Sequence, residues 1–414
     1  MNVRELALLA VCGLVVTACQ SGSPSSGSDG DITIASDLPI SGGTDQAQEV
    51  VAVQRAIKLA IDQHPTIGRF KLTYKPMDDA VAGVANPQKG IQNVKRMIDD
   101  ASVLGMIGPY QTQQAFAEIP IANAKDLVML SPTNTVDCLT LAAPYCDPQP
   151  DSLRPTGRNN YFRIAAPDAF QGAAMAGFAV RSLNVKRVAA FTEHPKVMGP
   201  IVDSFAAVLT RVGGELVLRQ DLEPGTTDFI AFLSTAKARG AQAIYVVGLS
   251  AERICGARAT MKGVFTDDPY FLGLDAMVDN QCIKDAAENA NNRIYATVSA
   301  VDPTQSRDPA VKQVVDAYRK AYPKPTDIAP YTFAGYDCAG ILIDAITRAI
   351  RANGGRIPTR GQVVDAVAHT QQFKGVTGIY SFDAFGDAIS PMMSVYRVDN
   401  GRWVFWQNVN ARPG

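Results

Sequence analysis

Two kinds of apolar spacing take turns along this chain, and that alternation restricts the fold more than any other feature. Residues 31–36 alternate like a strand, and 48–63 then place Val50, Val53, Ile57, Ala60 and Ile61 at helical spacing. The cycle repeats: strand at 70–74, helix at 88–99, strand at 103–107, helix at 112–123, strand at 127–130. A βαβα order predicts a parallel sheet with helices on both faces. After a proline-rich stretch, 133–160, a second cycle begins. Asp168 with Gln171 three residues on reads as a capping box opening a helix to about residue 183. Strands follow at 187–191, 215–219, 243–247 and 270–272, separated by helices at 199–212, 228–239 and 251–262. A strand at 293–298, helices at 310–321 and 332–352, and short β segments over 378–408 complete the pattern. Two α/β sheets of similar length predict two lobes, with ligands bound outside the carboxyl ends of the strands.

The N-terminus speaks to compartment. Arg4 precedes an apolar run, 6–18, shorter than the roughly 20 residues of a spanning helix and suited to a signal-peptide core. It ends in Val16-Thr17-Ala18-Cys19, which resembles a bacterial lipobox, so Cys19 is the expected lipidation site. Residues 1–18 are then a signal peptide, and 19–30, rich in Gly and Ser, a flexible tether on the outer face of the cell membrane. In an oxidising compartment, Cys138 and Cys146, eight apart in the proline-rich stretch, are expected to bridge. Cys255 with Cys282 is a second candidate pair, and Cys338, in an apolar helix pattern, reads as a buried thiol.

Composition and missing motifs exclude several functions. With 39 Lys+Arg against 40 Asp+Glu, the chain has no global field to hold nucleic acid. There is no P-loop, no Gly-x-Gly-x-x-Gly after the first strand, no His-Glu-x-x-His, no Cys-x-x-Cys and no Gly-x-Ser-x-Gly. Neither a cofactor nor a metal site is expected. Of His64, His194 and His369, only His194, following a strand, is placed to meet a cleft. Asp78-Asp79 and Asp267-Asp268 read as solvated turns.

Short segments spread along the chain resemble the solute-binding proteins of branched-chain amino-acid ABC importers, the periplasmic-binding-protein type I group. They are Ile32-Thr33-Ile34-Ala35 with Pro39-Ile40-Ser41-Gly42, the helix segment 56–62, Met106-Ile107-Gly108-Pro109, and Leu130-Ser131-Pro132-Thr133-Asn134-Thr135. Further on come Tyr161-Phe162-Arg163-Ile164, Gly335-Tyr336-Asp337, Gly375-Val376-Thr377-Gly378 and 382–387. The resemblance implies two Rossmann-like lobes joined by three crossover segments near Ile164, Val298 and Gly375. Lobe 1 would comprise 31–163 and 300–374, and lobe 2 164–299 and 375–414. It implies no catalysis: a monomer captures a small polar solute, an amino acid or amide-like compound, and passes it to an ABC permease. A sensory receptor of the same fold is the alternative, and an enzyme using the cleft the rival from another class. By correspondence, Thr112, Thr133, Asn134 and Thr135 of lobe 1 would take the ligand carboxylate, and Asp275 of lobe 2 its ammonium. Met198 replaces a family tyrosine, and Leu249-Ser250 a second aromatic, so the side-chain pocket departs from the branched-chain type.

Overall fold

A computed structural model describes residues 30–42, 46–248, 253–324, 327–389 and 392–411. The signal segment, Cys19 and its tether up to residue 29, and Leu249-Ser250, lie outside the described residues. Among those described, no helix is long and apolar enough to cross a membrane.

The first cycle runs β1 (Asp31–Leu38), α1 (Gln46–Asp62), β2 (Thr66–Ile67), β3 (Phe70–Asp78), a small hairpin β4 (Ala80–Val81) and β5 (Val84–Ala85), α2 (Pro87–Asp99), β6 (Val103–Ile107), α3 (Thr112–Asn123), β7 (Val128–Ser131) and β8 (Tyr161–Arg163). Its sheet has the order β2-β3-β1-β6-β7-β8, parallel except for β2. The second cycle comprises α4 (Asp168–Arg181), β9 (Arg187–Thr192), α5 (Pro195–Arg211), β10 (Glu215–Asp221), α6 (Ile230–Ala238), β11 (Ala243–Val247), α7 (Gly256–Val264), β12 (Tyr270–Gly273), α8 (Asn280–Ala286) and β13 (Ile294–Val298). Helices α9 (Pro309–Ala321), α10 (Thr332–Ala352) and α11 (Arg360–Ala368) follow, then the hairpin β14 (Phe373–Lys374) and β15 (Ile379–Tyr380), and finally β16 (Met392–Asp399) and β17 (Arg402–Asn410). The second sheet is ordered β10-β9-β11-β12-β13-β16-β17, with β16 and β17 antiparallel.

Strand periodicity explains the layers, because alternate residues point to opposite faces. In β6 a register shift against β1 at Leu104 interrupts the alternation, so Leu104 and Ile107 join the core beneath α1, α10 and α11, while Val103 and Met106 join the one beneath α2 and α3. In β9, Ala189 and Phe191 face α6 and α7, while Val188 and Ala190 face α4 and α5. Both sheets are therefore buried on both sides, which is why their strands read as continuous apolar runs.

Helices α9 to α11 pack with the first sheet although they follow the second in sequence. Segment 373–388 does so too: the Phe382 ring lies 5.2 Å from Phe162, and Asp387 pairs with Arg163 at 2.6 Å. Residues up to Ala388 therefore stay with the first sheet, past the point near Gly375 where the third crossover was expected. The residues around Gly375 have another task. The Asp337 carboxylate accepts the Val376 and Thr377 amides, each at 2.8 Å, and a Cβ on Gly375 would sit 2.4 Å from it. Two of the resembling motifs thus form one buried latch between α10 and the segment that returns to the second lobe.

Both expected disulfides are present, Cys138–Cys146 and Cys255–Cys282, and Cys338 is a buried free thiol. The expected capping box at Asp168 is not formed. Pro167 is the N-cap residue, and the Gln171 amide turns to the carboxylates of Asp168 (3.0 Å) and Asp275 (3.1 Å). A true capping box closes α11 instead, between Thr359 and Gln362. Helix α7 begins at Gly256, later than periodicity suggested, after a turn at 253–255.

Candidate ligand-binding cleft

In each sheet the strand order reverses about an inner strand, β1 in the first and β9 in the second. Crevices form at the carboxyl ends of strands flanking such a reversal. The loops there carry the candidate residues: 108–112 after β6, 131–135 after β7, His194 after β9 and Asp275 after β12.

The first-lobe loops are stitched together by their own side chains. Ser131 Oγ donates to the Pro109 carbonyl (2.9 Å) and receives the Thr133 and Asn134 amides (3.3 and 3.1 Å). Thr133 Oγ1 and Asn134 Nδ2 both donate to the Tyr110 carbonyl, at 2.6 and 2.9 Å, and the Tyr161 hydroxyl donates to Asn134 Oδ1 (2.9 Å). The side chains of Thr133 and Asn134 are thereby occupied in shaping the loop. Gly108 permits the close approach beneath it: its φ is +126°, and a Cβ would stand 2.5 Å from the Asp37 carbonyl. Thr112 is the first residue of α3 and half-buried; Gln111 holds the N-cap position without a side-chain cap bond. Thr135 is half-buried and its hydroxyl hydrogen-bonds the Asp168 carboxyl.

On the second lobe, Asp275 starts a short helical turn after β12. Its Oδ1 accepts the Gln171 amide and the Ala276 backbone N–H (2.9 Å). Its Oδ2 accepts the Tyr331 hydroxyl at 2.5 Å, and Tyr331 lies just before α10, which packs with the first sheet. The two lobes thus meet at this carboxylate. Burial pushes the Asp275 carboxyl above its ordinary range, against the lowering effect of the Tyr331 and Gln171 donors. Asp168 is pushed up to about 7 by burial and by Asp275. His194 is the N-cap residue of α5, its carbonyl receiving the Met198 amide at 2.7 Å, and Met198 packs at the margin of the α4–α5 core.

The periplasmic binding protein family matches residues 31–402. The chain belongs to this family. The chain is 23% identical to Leu/Ile/Val-binding protein homolog 3 of Brucella melitensis, over 90% of this chain and 93% of the relative. Its fold superposes on a leucine-binding protein of Thermotoga maritima with a TM-score of 0.70 at 28% identity, covering 92% of this chain and 99% of that one. A branched-chain amino-acid binding protein of Streptococcus pneumoniae, solved with isoleucine, gives 0.67 at 23% identity, covering 91% and 100%. The chain is an extracytoplasmic solute-binding protein, not an enzyme.

The structure gathers cleft residues that sequence reasoning passed over. Glu49, in the first turn of α1, hydrogen-bonds the Tyr110 side chain and the Tyr331 backbone, and stands within electrostatic reach of Asp275 and Asp279. Burial pushes its carboxyl up to about 8. Its position in the amphipathic pattern looks like any polar helix site.

Asp79 corrects another expectation, since it is fully buried rather than solvated. It forms a compact group with Asp37 and Glu118, their ligand atoms all within 4.8 Å of one another. Asn93 Nδ2 donates to Asp37 Oδ1 at 2.7 Å. Burial pushes all three carboxyls up, Asp79 to about 7; repulsion adds to it from Asp79 at Asp37, from Asp37 and Asp79 at Glu118, and from Asp78 at Asp79. Asp267 and Asp268 are exposed as expected, and Asp268 also pairs at 2.6 Å with the buried Arg258. His64 and His369 bond the carbonyls of Ala60 and Asp365, four residues back, away from the cleft loops.

Proposed function

We propose that this protein captures a free amino acid between its lobes and delivers it to an ABC import permease, acting as a monomer. The observation that carries the reading is Asp275, a half-buried carboxylate at the carboxyl end of a second-lobe strand, bonded across the cleft to Tyr331. A buried carboxylate favours a cationic partner, and an amino-acid ammonium supplies one. Thr112 and Thr135, with the N-terminus of α3, receive the ligand carboxylate, since free N–H groups and the helix dipole favour an anion there. Thr133 and Asn134 act by holding the loop in shape, and His194 and Met198 line the second-lobe wall. The similarity to leucine- and Leu/Ile/Val-binding proteins supports an amino acid. Calorimetry of residues 19–414 against free L-amino acids, with small-angle scattering on the complexes, tests this. Binding with a decrease in radius of gyration is expected, because a ligand touching both lobes favours the closed state. Failure of every amino acid to bind, or binding without compaction, overturns it.

The same reading places the protein on a lipid anchor at Cys19. Cys19→Ser should move it from the membrane fraction to the soluble one and remove lipid from its N-terminus. Unchanged fractionation, with no lipid on the wild-type N-terminus, would refute the anchor.

A further inference from the structure

The cleft is acidic beyond what a zwitterion needs. Glu49 arrives from the first lobe, while Asp168 and Asp275 arrive from the second. The charged groups acting on Glu49 are Asp275 and Asp279, and those acting on Asp168 are Asp275 and Asp137. Among the described residues no ion pair joins Glu49, Asp168 or Asp275 to a lysine or arginine. Glu49 and Asp275 are linked through Tyr331, whose backbone bonds the first and whose hydroxyl bonds the second. An amino acid with a neutral side chain adds one positive and one negative charge. Its ammonium answers Asp275, and half-buried Glu49, hydrogen-bonded to Tyr110 and Tyr331, is left with no basic group beside it.

We infer that the solute is an amino acid with a cationic side chain, and that Glu49 is the residue that selects it. The inference rests on the amino-acid reading above and deepens it. A second positive centre beside Glu49 favours its ionised form against the burial that raises it and offsets the neighbouring Asp275, so charge recognition and lobe closure are one event. Discrimination then comes from a group left unpaired with the wrong ligand.

The test is calorimetry of wild type and Glu49→Gln with L-ornithine, L-lysine, L-arginine, L-leucine and L-isoleucine. At least one basic amino acid should bind wild type about tenfold or more tighter than leucine or isoleucine. Glu49→Gln should lose about tenfold or more of that affinity while binding leucine and isoleucine as well as or better than wild type. Tighter wild-type binding of leucine or isoleucine than of every basic amino acid, or an unchanged preference in Glu49→Gln, overturns the role of Glu49 and leaves the amino-acid reading standing. If none of the five binds wild type the inference fails, and the wider L-amino-acid panel then decides the broader reading.

Discussion

Asp275→Ala should weaken binding of the cognate amino acid by about 30-fold or more. The carboxylate is half-buried, anchored by Gln171 and Ala276, and positioned against the first lobe through Tyr331. Truncating one partner of a buried, charge-assisted pair costs roughly 2–5 kcal/mol, and about 1.4 kcal/mol is a decade in affinity. Asp275→Asn keeps the shape and removes the charge, so it should weaken binding too. Stability provides the control. Burial already raises the carboxyl above its ordinary range, so its charge is a cost to the unliganded fold and losing it should not lower thermal stability. Calorimetry and thermal melts together read the result. Wild-type affinity in both variants would show that Asp275 is structural and the ligand not an ammonium.

The second large effect is on the fold. Asp387→Ala should cost about 3–5 kcal/mol of stability, because it leaves the Arg163 guanidinium buried and unpaired. Arg163 is fully buried; its Nε donates to Asp387 Oδ1 at 2.6 Å, and its other nitrogens to the Val136 carbonyl and Thr140 Oγ1, each at 2.7 Å. It therefore ties together the edge of the first sheet, the loop after β7 and the segment leading to the second lobe. Replacing both charges, Arg163→Met with Asp387→Leu, should recover much of the loss, since two apolar groups leave no orphaned ion. Urea denaturation measures both. A loss below about 1 kcal/mol in Asp387→Ala would mean that the Val136 and Thr140 acceptors suffice.

What could be read from the sequence was what depends on neighbours along the chain. Helix 332–352 and helix 112–123 have the limits that periodicity gave them, because each packs one apolar face and ends where the pattern ends. The two disulfides were also legible, as was the place of Asp275 just after a second-lobe strand. What failed depended on distant partners. Asp168-x-x-Gln171 and Thr359-x-x-Gln362 share a local pattern, yet only the second forms a capping box; Gln171 is diverted by Asp275, 104 residues away. Glu49 is unremarkable on α1 until the loop of Tyr110 and the start of α10 close over it. Asp79 looks like half of a solvated turn until α3 delivers Glu118 against it. The resembling motifs around Arg163, Asp337 and Asp387 were legible as a pattern, but their chemistry is structural: Asp337 fastens the residues after Gly375, and Arg163 with Asp387 braces the loop after β7 from behind.

The connectivity also governs the order in which the molecule can be completed. Strand β13 waits for β16, with Tyr295 paired to Arg397 and Val298 to Ser394, so the second sheet stays unfinished until the C-terminal residues exist. The first sheet has all its strands by Arg163 but lacks the cover of α10 until Ala352 is made. During synthesis from the N-terminus, both halves carry bare apolar faces for most of the chain's length, and the late contacts are the long-range ones that form slowly. A polypeptide with this wiring reaches its end still threadable, the state in which transport across a membrane before folding is mechanically possible.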